Sequence, residues 1–147
     1  MPSKANICVD RVPFENLAQA CALAEPWLTK GSAVAEQSSR EILRKLFDRK
    51  ADLWLITNAE DLTVCGALIT TVHENDTGHH VHMSALAGRN VWAWAHRLHA
   101  VMYQFALDLQ CNAVRFWGRK EWARFFPDCR KLGVTRGGHE LFERAIP

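Results

Sequence analysis

The chain has 147 residues, 48% hydrophobic and 23% charged, with a formal net charge of +2. That length suits one ordinary domain, residues 1–147, and is short for two; the composition excludes a disordered chain. The positive balance falls well short of what phosphate-backbone binding leaves on a small domain, so nucleic acid is not expected as a partner.

Ile7 to Val12 alternates as a short first strand. Pro13 then permits a helix whose apolar residues Phe14, Leu17, Ala20, Cys21, Ala24 and Leu28 recur at helical spacing. After the polar connection GSAVAEQSS, Ser38 with Glu41 forms a capping-box pattern, and Ile42, Leu43, Leu46 and Phe47 give a second helix its apolar face, ending near Lys50. Leu53 to Ile56 is a compact strand, Leu62 to Val72 a longer one, and His79 to Leu86 a third, joined by the turn segments AED and NDTG into an antiparallel meander.

At Ala87-Gly88 the strand breaks, and from Val91 a helical stripe runs through Trp94, Ala95, Leu98, Val101, Met102, Phe105, Ala106 and Leu109. Trp92 and Trp94 cannot both point into that stripe, so one of them is expected at the surface. Ala113 to Trp117 is the next strand, followed by a predicted helix from Lys120 to Leu132, shortened or kinked by Pro127 and stopped by Gly133. Val134 to Arg136, Gly137-Gly138 and His139 to Ile146 form a closing hairpin. The strand–helix–strand unit from His79 to Trp117 favours one parallel pair inside an otherwise antiparallel sheet.

Cys8, Cys21, Cys65, Cys111 and Cys129 are odd in number and scattered, with no CxxC pair, which predicts free thiols in a reducing compartment, the cytoplasm. The segment MPSKANICVDRVPF lacks the features of a secretory signal, and no apolar run approaches the roughly 20 residues of a membrane span, so no membrane partner is expected. His80-x-His82 on a strand and His96 with His99 on a helix are metal-like pairs, but neither has a third ligand at a recognised spacing, and no metal site is predicted. Arg115, Arg119, Lys120, Arg124, Arg130, Lys131 and Arg136, interleaved with Trp117, Trp122 and Phe125, concentrate positive charge in the last third, where phosphates or a protein partner compete for it.

The order β-α-α-β-β-β-α-β-α-β-β, with the turn Ala87-Gly88-Arg89-Asn90 ahead of the long third helix, resembles the GNAT N-acetyltransferase family over almost the whole chain. The resemblance implies an α/β (α+β) fold, a mixed and mostly antiparallel central sheet flanked by helices. It also implies acyl transfer from acetyl-CoA to an amine, with the cofactor pyrophosphate on backbone N–H groups at the start of the third helix. A helix start does offer unpaired donors and the positive end of its dipole to an anion. The positions that match are Leu86, Ala87, Gly88, Arg89, Asn90 and Val91. Setting Gly88 on the first glycine of the family pattern puts Ala85 and Asn90 at its outer positions, which the family fills with Gln or Arg and with Gly or Ala. Gly88 is therefore either a phosphate cradle or a plain cap-and-turn corner.

Family catalysis uses a general base and often a tyrosine after the fifth strand. The single tyrosine here is Tyr103 in the third helix, and the expected region carries Trp122, Phe125 and Phe126 instead. Glu74 and His82, with His80 beside them, are the candidate bases near the strands that could face an amine substrate. Cys111-Asn112, Ala113-Val114-Arg115 and Gly118-Arg119-Lys120-Glu121-Trp122 resemble a strand and turn of small GNAT-like proteins of tailed bacteriophages. That likeness implies an alternative: a catalytically inactive protein of the same fold, in the host cytoplasm or the virion, acting as a virion component or by binding a host protein.

Overall fold

The computed structural model describes residues 6–34 and 38–147. Its strands are β1 (Ile7–Arg11), β2 (Asp52–Asn58), β3 (Thr63–Asn75), β4 (Gly78–Gly88), β5 (Ala113–Gly118), β6 (Arg130–Arg136) and β7 (His139–Ala145); its helices are α1 (Leu17–Val34), α2 (Ser39–Phe47) and α3 (Val91–Asp108). One seven-stranded sheet runs in the order β1-β2-β3-β4-β5-β7-β6. The β4–β5 pair is parallel, and β1–β2, β2–β3, β5–β7 and β6–β7 are antiparallel. The fold is mixed α/β, a mostly antiparallel sheet flanked by helices, as the order of elements implied. Among the described residues no helix is long and apolar enough to cross a membrane.

Local chemistry explains the boundaries. Pro13 leads into a 3₁₀ turn, Phe14–Asn16, before α1 begins. Ser38 caps α2, its hydroxyl accepting from the Glu41 N–H at 3.1 Å. The predicted connection GSAVAEQSS is shorter than expected, since α1 runs to Val34; residues 35–37, like the first five of the chain, lie outside the described residues. Gly137 and Gly138, at φ 55° and 81°, form the tight turn of the β6–β7 hairpin.

One expected element is corrected. The helix predicted over Lys120 to Leu132 is a 3₁₀ turn, Lys120–Arg124, after which the chain enters β6 at Arg130. Pro127 cannot donate into a continuing helix. Trp122 and Phe126 instead pack on Phe116, with ring centroids 6.4 and 5.0 Å away, and on each other at 6.1 Å, and Lys131 pairs with Phe142 across the sheet. Tertiary pairing overrides the helical pattern here. Gly133, read as a helix stop, lies where the β6 ladder shifts between Lys131 and Thr135.

The chain divides into two compact units, Met1–Thr71 with Ser84–Trp94 and Val72–Met83 with Ala95–Pro147. In the first, Leu17, Ala20, Ala24 and Leu28 of α1 and Ile42 and Leu46 of α2 pack on Leu53, Ala67, Ile69 and Ala85 of the sheet. Each fully buried Leu or Ile contributes about 1.5–3 kcal/mol. In the second, Phe116 stacks on its register partner Phe142 at 5.2 Å, and Phe126 meets Phe116 edge-on at 5.0 Å.

Within the first unit β3 and β4 do not keep one register. Partner numbers in a regular antiparallel ladder sum to a constant, yet the Arg89 N–H donates to Cys65 O at 2.7 Å while Thr71 Oγ1 and Ser84 Oγ are hydrogen-bonded at 2.7 Å, one residue out of step. The extra residue lies on β3, which takes six steps from Cys65 to Thr71 where β4 takes five from Ser84 to Arg89; this β-bulge brings Thr71 to the face of Ser84, while Ala85 enters the core beside Ala67 and Ile69.

Candidate functional site

The glycine corner is built on a close approach of two backbones. A Cβ on Gly88 would lie 2.6 Å from Trp94 Cζ2 and 2.8 Å from Cys65 O, and a Cβ on Gly66 would lie 2.8 Å from Ala87 O. Two glycines facing each other across β3 and β4 therefore seat the Trp94 ring, which is 1% exposed. Trp94 Nε1 donates to Arg89 O at 2.8 Å, tying the first turn of α3 to the end of β4. Asn90 takes a left-handed conformation, φ 53°, and its carbonyl accepts from the Ala93 N–H at 2.8 Å. The missing side chain of Gly88 serves packing; its Cβ side is filled by protein.

An anion could use what lies just beyond. The N–H groups of Val91 and Trp92 open α3 and have no partner within the helix, as at every helix start. Arg89 and Asn90 are exposed beside them, Trp92 is 51% exposed, and Leu86, Ala87 and Val91 are half-buried. Arg89 and Trp94 also line a surface pocket of about 220 Å³ with Asp61, Thr63 and Cys65. Asp61 accepts from the Thr63 hydroxyl at 2.6 Å and the Thr63 N–H at 3.1 Å, which holds its carboxyl below the usual range; Arg89 adds a weaker pull in the same direction. Burial pushes the Cys65 thiol up, and Arg89 opposes that. The α3 start and the Arg89 charge fit a phosphate-bearing cofactor, with Gly88 packed beneath them against Trp94.

The second unit gathers three histidines. His73 stacks on His80 with ring centroids 5.7 Å apart and meets His82 edge-on at 5.6 Å, so residues from β3 and β4 share one face. Burial lowers the pKa of His80 to about 4, helped by Arg115 and His73, and that of His82 to about 3, helped by His73, His80, Arg136 and Arg115. Both rings are neutral at pH 7 and can accept a hydrogen bond but hold a proton poorly. Asn75 Nδ2 lies 3.2 Å from His80 Nδ1. Glu74, the other predicted base, alternates to the opposite side of β3 from His73; it is 87% exposed and 3.8 Å from His79 Nε2. The structure thus brings His82 together with His73 and His80 but does not bring Glu74 to them. Among the described residues no group of three His, Cys, Asp or Glu is arranged to hold a metal.

A third cluster escaped the sequence reading. Arg144 Nη1 donates to His99 Nε2 and to Asp128 Oδ2, both at 3.0 Å, and its guanidinium lies 4.7 Å from the Tyr103 ring centroid. His99 Nδ1 is 4.0 Å from Cys129 Sγ, which invites comparison with a thiol–imidazole nucleophile. Arginine can only donate, so Nε2 carries the lone pair and the neutral ring holds its proton on Nδ1, facing the sulfur. A ring in that tautomer cannot deprotonate Cys129, and burial raises the thiol to about 11. Nothing in the spacing of residues 99, 128, 129 and 144 marks this group, because β7 and the loop ahead of β6 meet α3 only in three dimensions. A signal for the Gly66–Gly88 seat did exist: a lone glycine inside a run of β-formers at Val64 to Ile69.

No family model matches the sequence, and no curated protein matches it. Solved structures do resemble it. The N-acyl amino acid synthase FeeM from uncultured soil microbes aligns over 99% of this chain and 91% of its own, at TM-score 0.63 and 11% identity. A GNAT family acetyltransferase from Elizabethkingia anophelis with acetyl-CoA bound aligns over 96% and 99%, at 0.62 and 9%. The PaiA N-acetyltransferase from Thermoplasma acidophilum in complex with coenzyme A aligns over 95% and 99%, at 0.60 and 10%. Identities this low speak for architecture and not for chemistry. With nearly full coverage on both sides, the chain has the GNAT acetyltransferase fold.

Proposed function

We propose that residues 1–147 act as one acyl-CoA-dependent N-acyltransferase domain, holding acetyl-CoA or another acyl-CoA along Leu86 to Val91 and taking an amine as acceptor. The observation that carries this reading is the exposed start of α3, with Arg89 and Asn90 in solvent and the backbone beneath them fixed by Gly66, Gly88 and Trp94. Structures of the same fold with acetyl-CoA and coenzyme A bound support it. Arg89 would contribute a charge-assisted contact to phosphate, and the N–H group of Val91, at the start of α3, the dipole end. Leu86 and Ala87 offer backbone groups beyond Met83, where the β4–β5 ladder ends. Bound acyl-CoA supplies an activated thioester. Neutral His82 would orient an incoming amine by accepting a hydrogen bond, while exposed Glu74 would serve as a proton acceptor only for an amine reaching its side of β3.

A second reading, a protein of this fold without transferase activity that works through a surface, is favoured by three observations. Trp94 fills the Cβ side of Gly88, left-handed Asn90 occupies the position where the family pattern has Gly or Ala, and Trp122 follows β5 where a tyrosine was expected. The phage-type likeness of Gly118 to Trp122 belongs to this reading, with a virion or a host protein as the partner.

Calorimetric titration with acetyl-CoA of the native chain and of Arg89→Glu separates them. Saturable binding that weakens at least tenfold in the variant is the expected result. No heat of binding at millimolar acetyl-CoA would end the transferase reading and leave the surface one.

A further inference from the structure

A row of polar side chains crosses one face of the second unit in register: His82 opposite Arg115, Arg115 opposite Glu143, and Glu143 opposite Arg130. Glu143 is 5% exposed. Its Oε2 accepts from Arg115 Nε at 2.7 Å, and its Oε1 accepts from Arg130 Nη2 at 2.7 Å and Nε at 3.2 Å. Burial alone would raise this carboxyl, but the bonds from Arg130 and Arg115 outweigh it and hold the pKa below the ordinary value. One carboxylate therefore faces two guanidiniums, with one positive charge in excess.

That excess has a place and a shape. Arg115 uses only Nε, and its two Nη groups have no protein partner among the described residues, although the side chain is only 28% exposed. Arg115 lines a cavity of about 650 Å³ together with Arg130, Asn75, Asn112 and Thr77. One wall is fixed: Asn75 Nδ2 donates to Asn112 Oδ1 at 2.8 Å, and Asn112 Nδ2 donates to Thr77 Oγ1 at 2.7 Å. Glu74 and Asp76, both exposed, also line it and bring negative charge to the same cavity.

We propose that this cavity binds a small amino carboxylate, the carboxylate on the free end of Arg115 with help from Arg130, and the ammonium toward Glu74 and Asp76. The planar pair of Nη donors matches a carboxylate edge. Glu143, Glu74 and Asp76 disfavour a doubly charged phosphate at the same place. The volume leaves room for an amino acid with its side chain. Neutral His80 and His82 supply no countercharge of their own, and both feel the Arg115 charge, so they report on the site.

The test is an NMR titration of the full chain with glycine, acetate, methylamine and inorganic phosphate, following the ring signals of His80 and His82. Glycine is expected to shift them saturably and to bind several-fold tighter than acetate, with methylamine inert. Arg115→Gln should weaken glycine at least tenfold and Arg115→Lys should recover part of the loss; Arg130→Gln, on a more exposed side chain, should weaken it several-fold and serves if Arg115→Gln does not fold. Absence of a saturable glycine shift, its survival in Arg115→Gln, or phosphate binding as well as glycine would overturn the proposal. No acyl-CoA is present in this titration, so failure of the transferase reading leaves its outcome untouched.

Discussion

Trp94 donates its indole N–H to the carbonyl of Arg89 at 2.8 Å while its ring lies over Gly66 and Gly88, so one side chain clamps the end of β4 to the start of α3. Gly88→Ala places a methyl group 2.6 Å from Trp94 Cζ2 and 2.8 Å from Cys65 O, with backbone on one side and a fully buried ring on the other. Overpacking of that kind costs about 2 kcal/mol. A denaturant titration should show a lower midpoint at unchanged slope for Gly88→Ala, and an unchanged midpoint would refute the clamp.

Glu143 is the single carboxylate between Arg115 and Arg130, and replacing it leaves two guanidiniums facing each other. Glu143→Gln is expected to cost about 3 kcal/mol, the scale for breaking a buried ion pair from one side. Because the folded pKa lies below the ordinary value, the stabilisation is complete above the unfolded glutamate range and is lost as pH falls through the folded pKa. Native chain and Glu143→Gln should therefore converge in stability in strong acid; a gap that persists below pH ~2 would mean that packing, not charge, accounts for the loss.

His80 and His82 add an acid sensitivity at higher pH. Their folded pKa values, about 4 and about 3, lie below the ordinary 6.5 because burial disfavours the charged rings. The unfolded chain protonates first, so stability is full above pH 6.5 and declines as pH falls from there toward the folded values. Linkage puts the loss on the order of 2 kcal/mol per histidine by pH ~5. Ring proton shifts followed from pH 8 to 4 should show these two histidines still neutral at pH 5, and midpoints near 6.5 would contradict the packed arrangement with His73.

Cys129 should be an unreactive thiol despite its neighbour His99. With a pKa of about 11, the thiolate is about one in a thousand molecules at pH 8. Alkylation by iodoacetamide, mapped by peptide mass, should rise about tenfold per pH unit up to pH ~10 without a plateau. His99→Gln should not slow it. A plateau near neutral pH, or slowing in the variant, would mean that His99 acts as a base.

Much of this architecture is legible in the chain because it rests on local rules. Ser38 with Glu41 announces the start of α2, Gly137-Gly138 the last hairpin, and the stripe from Val91 to Leu109 the long helix; each is observed within a residue or two of its expected end. The burial of Trp94 and exposure of Trp92 also follow from helical spacing. The helix expected over Lys120 to Leu132 fails because its apolar residues have a better use, Trp122 and Phe126 packing on Phe116 and on each other, and because Arg130 and Lys131 find strand partners in β7.

The sequence by itself determined the order of elements apart from the helix expected over Lys120 to Leu132, the glycine corner before α3 and the residues that surround it, since periodicity, caps and turn residues act within a few positions of one another. Tertiary structure alone decided what those residues meet. It set Gly88 against Trp94, sent Glu74 to the opposite side of β3 from His73, turned His99 into a ring with its proton toward Cys129, and aligned His82, Arg115, Glu143 and Arg130 across four strands. Register is the physical reason: a shift of one residue, like the bulge in β3 between Cys65 and Thr71, moves every following side chain to the other face, and register is fixed by the packing of the whole sheet.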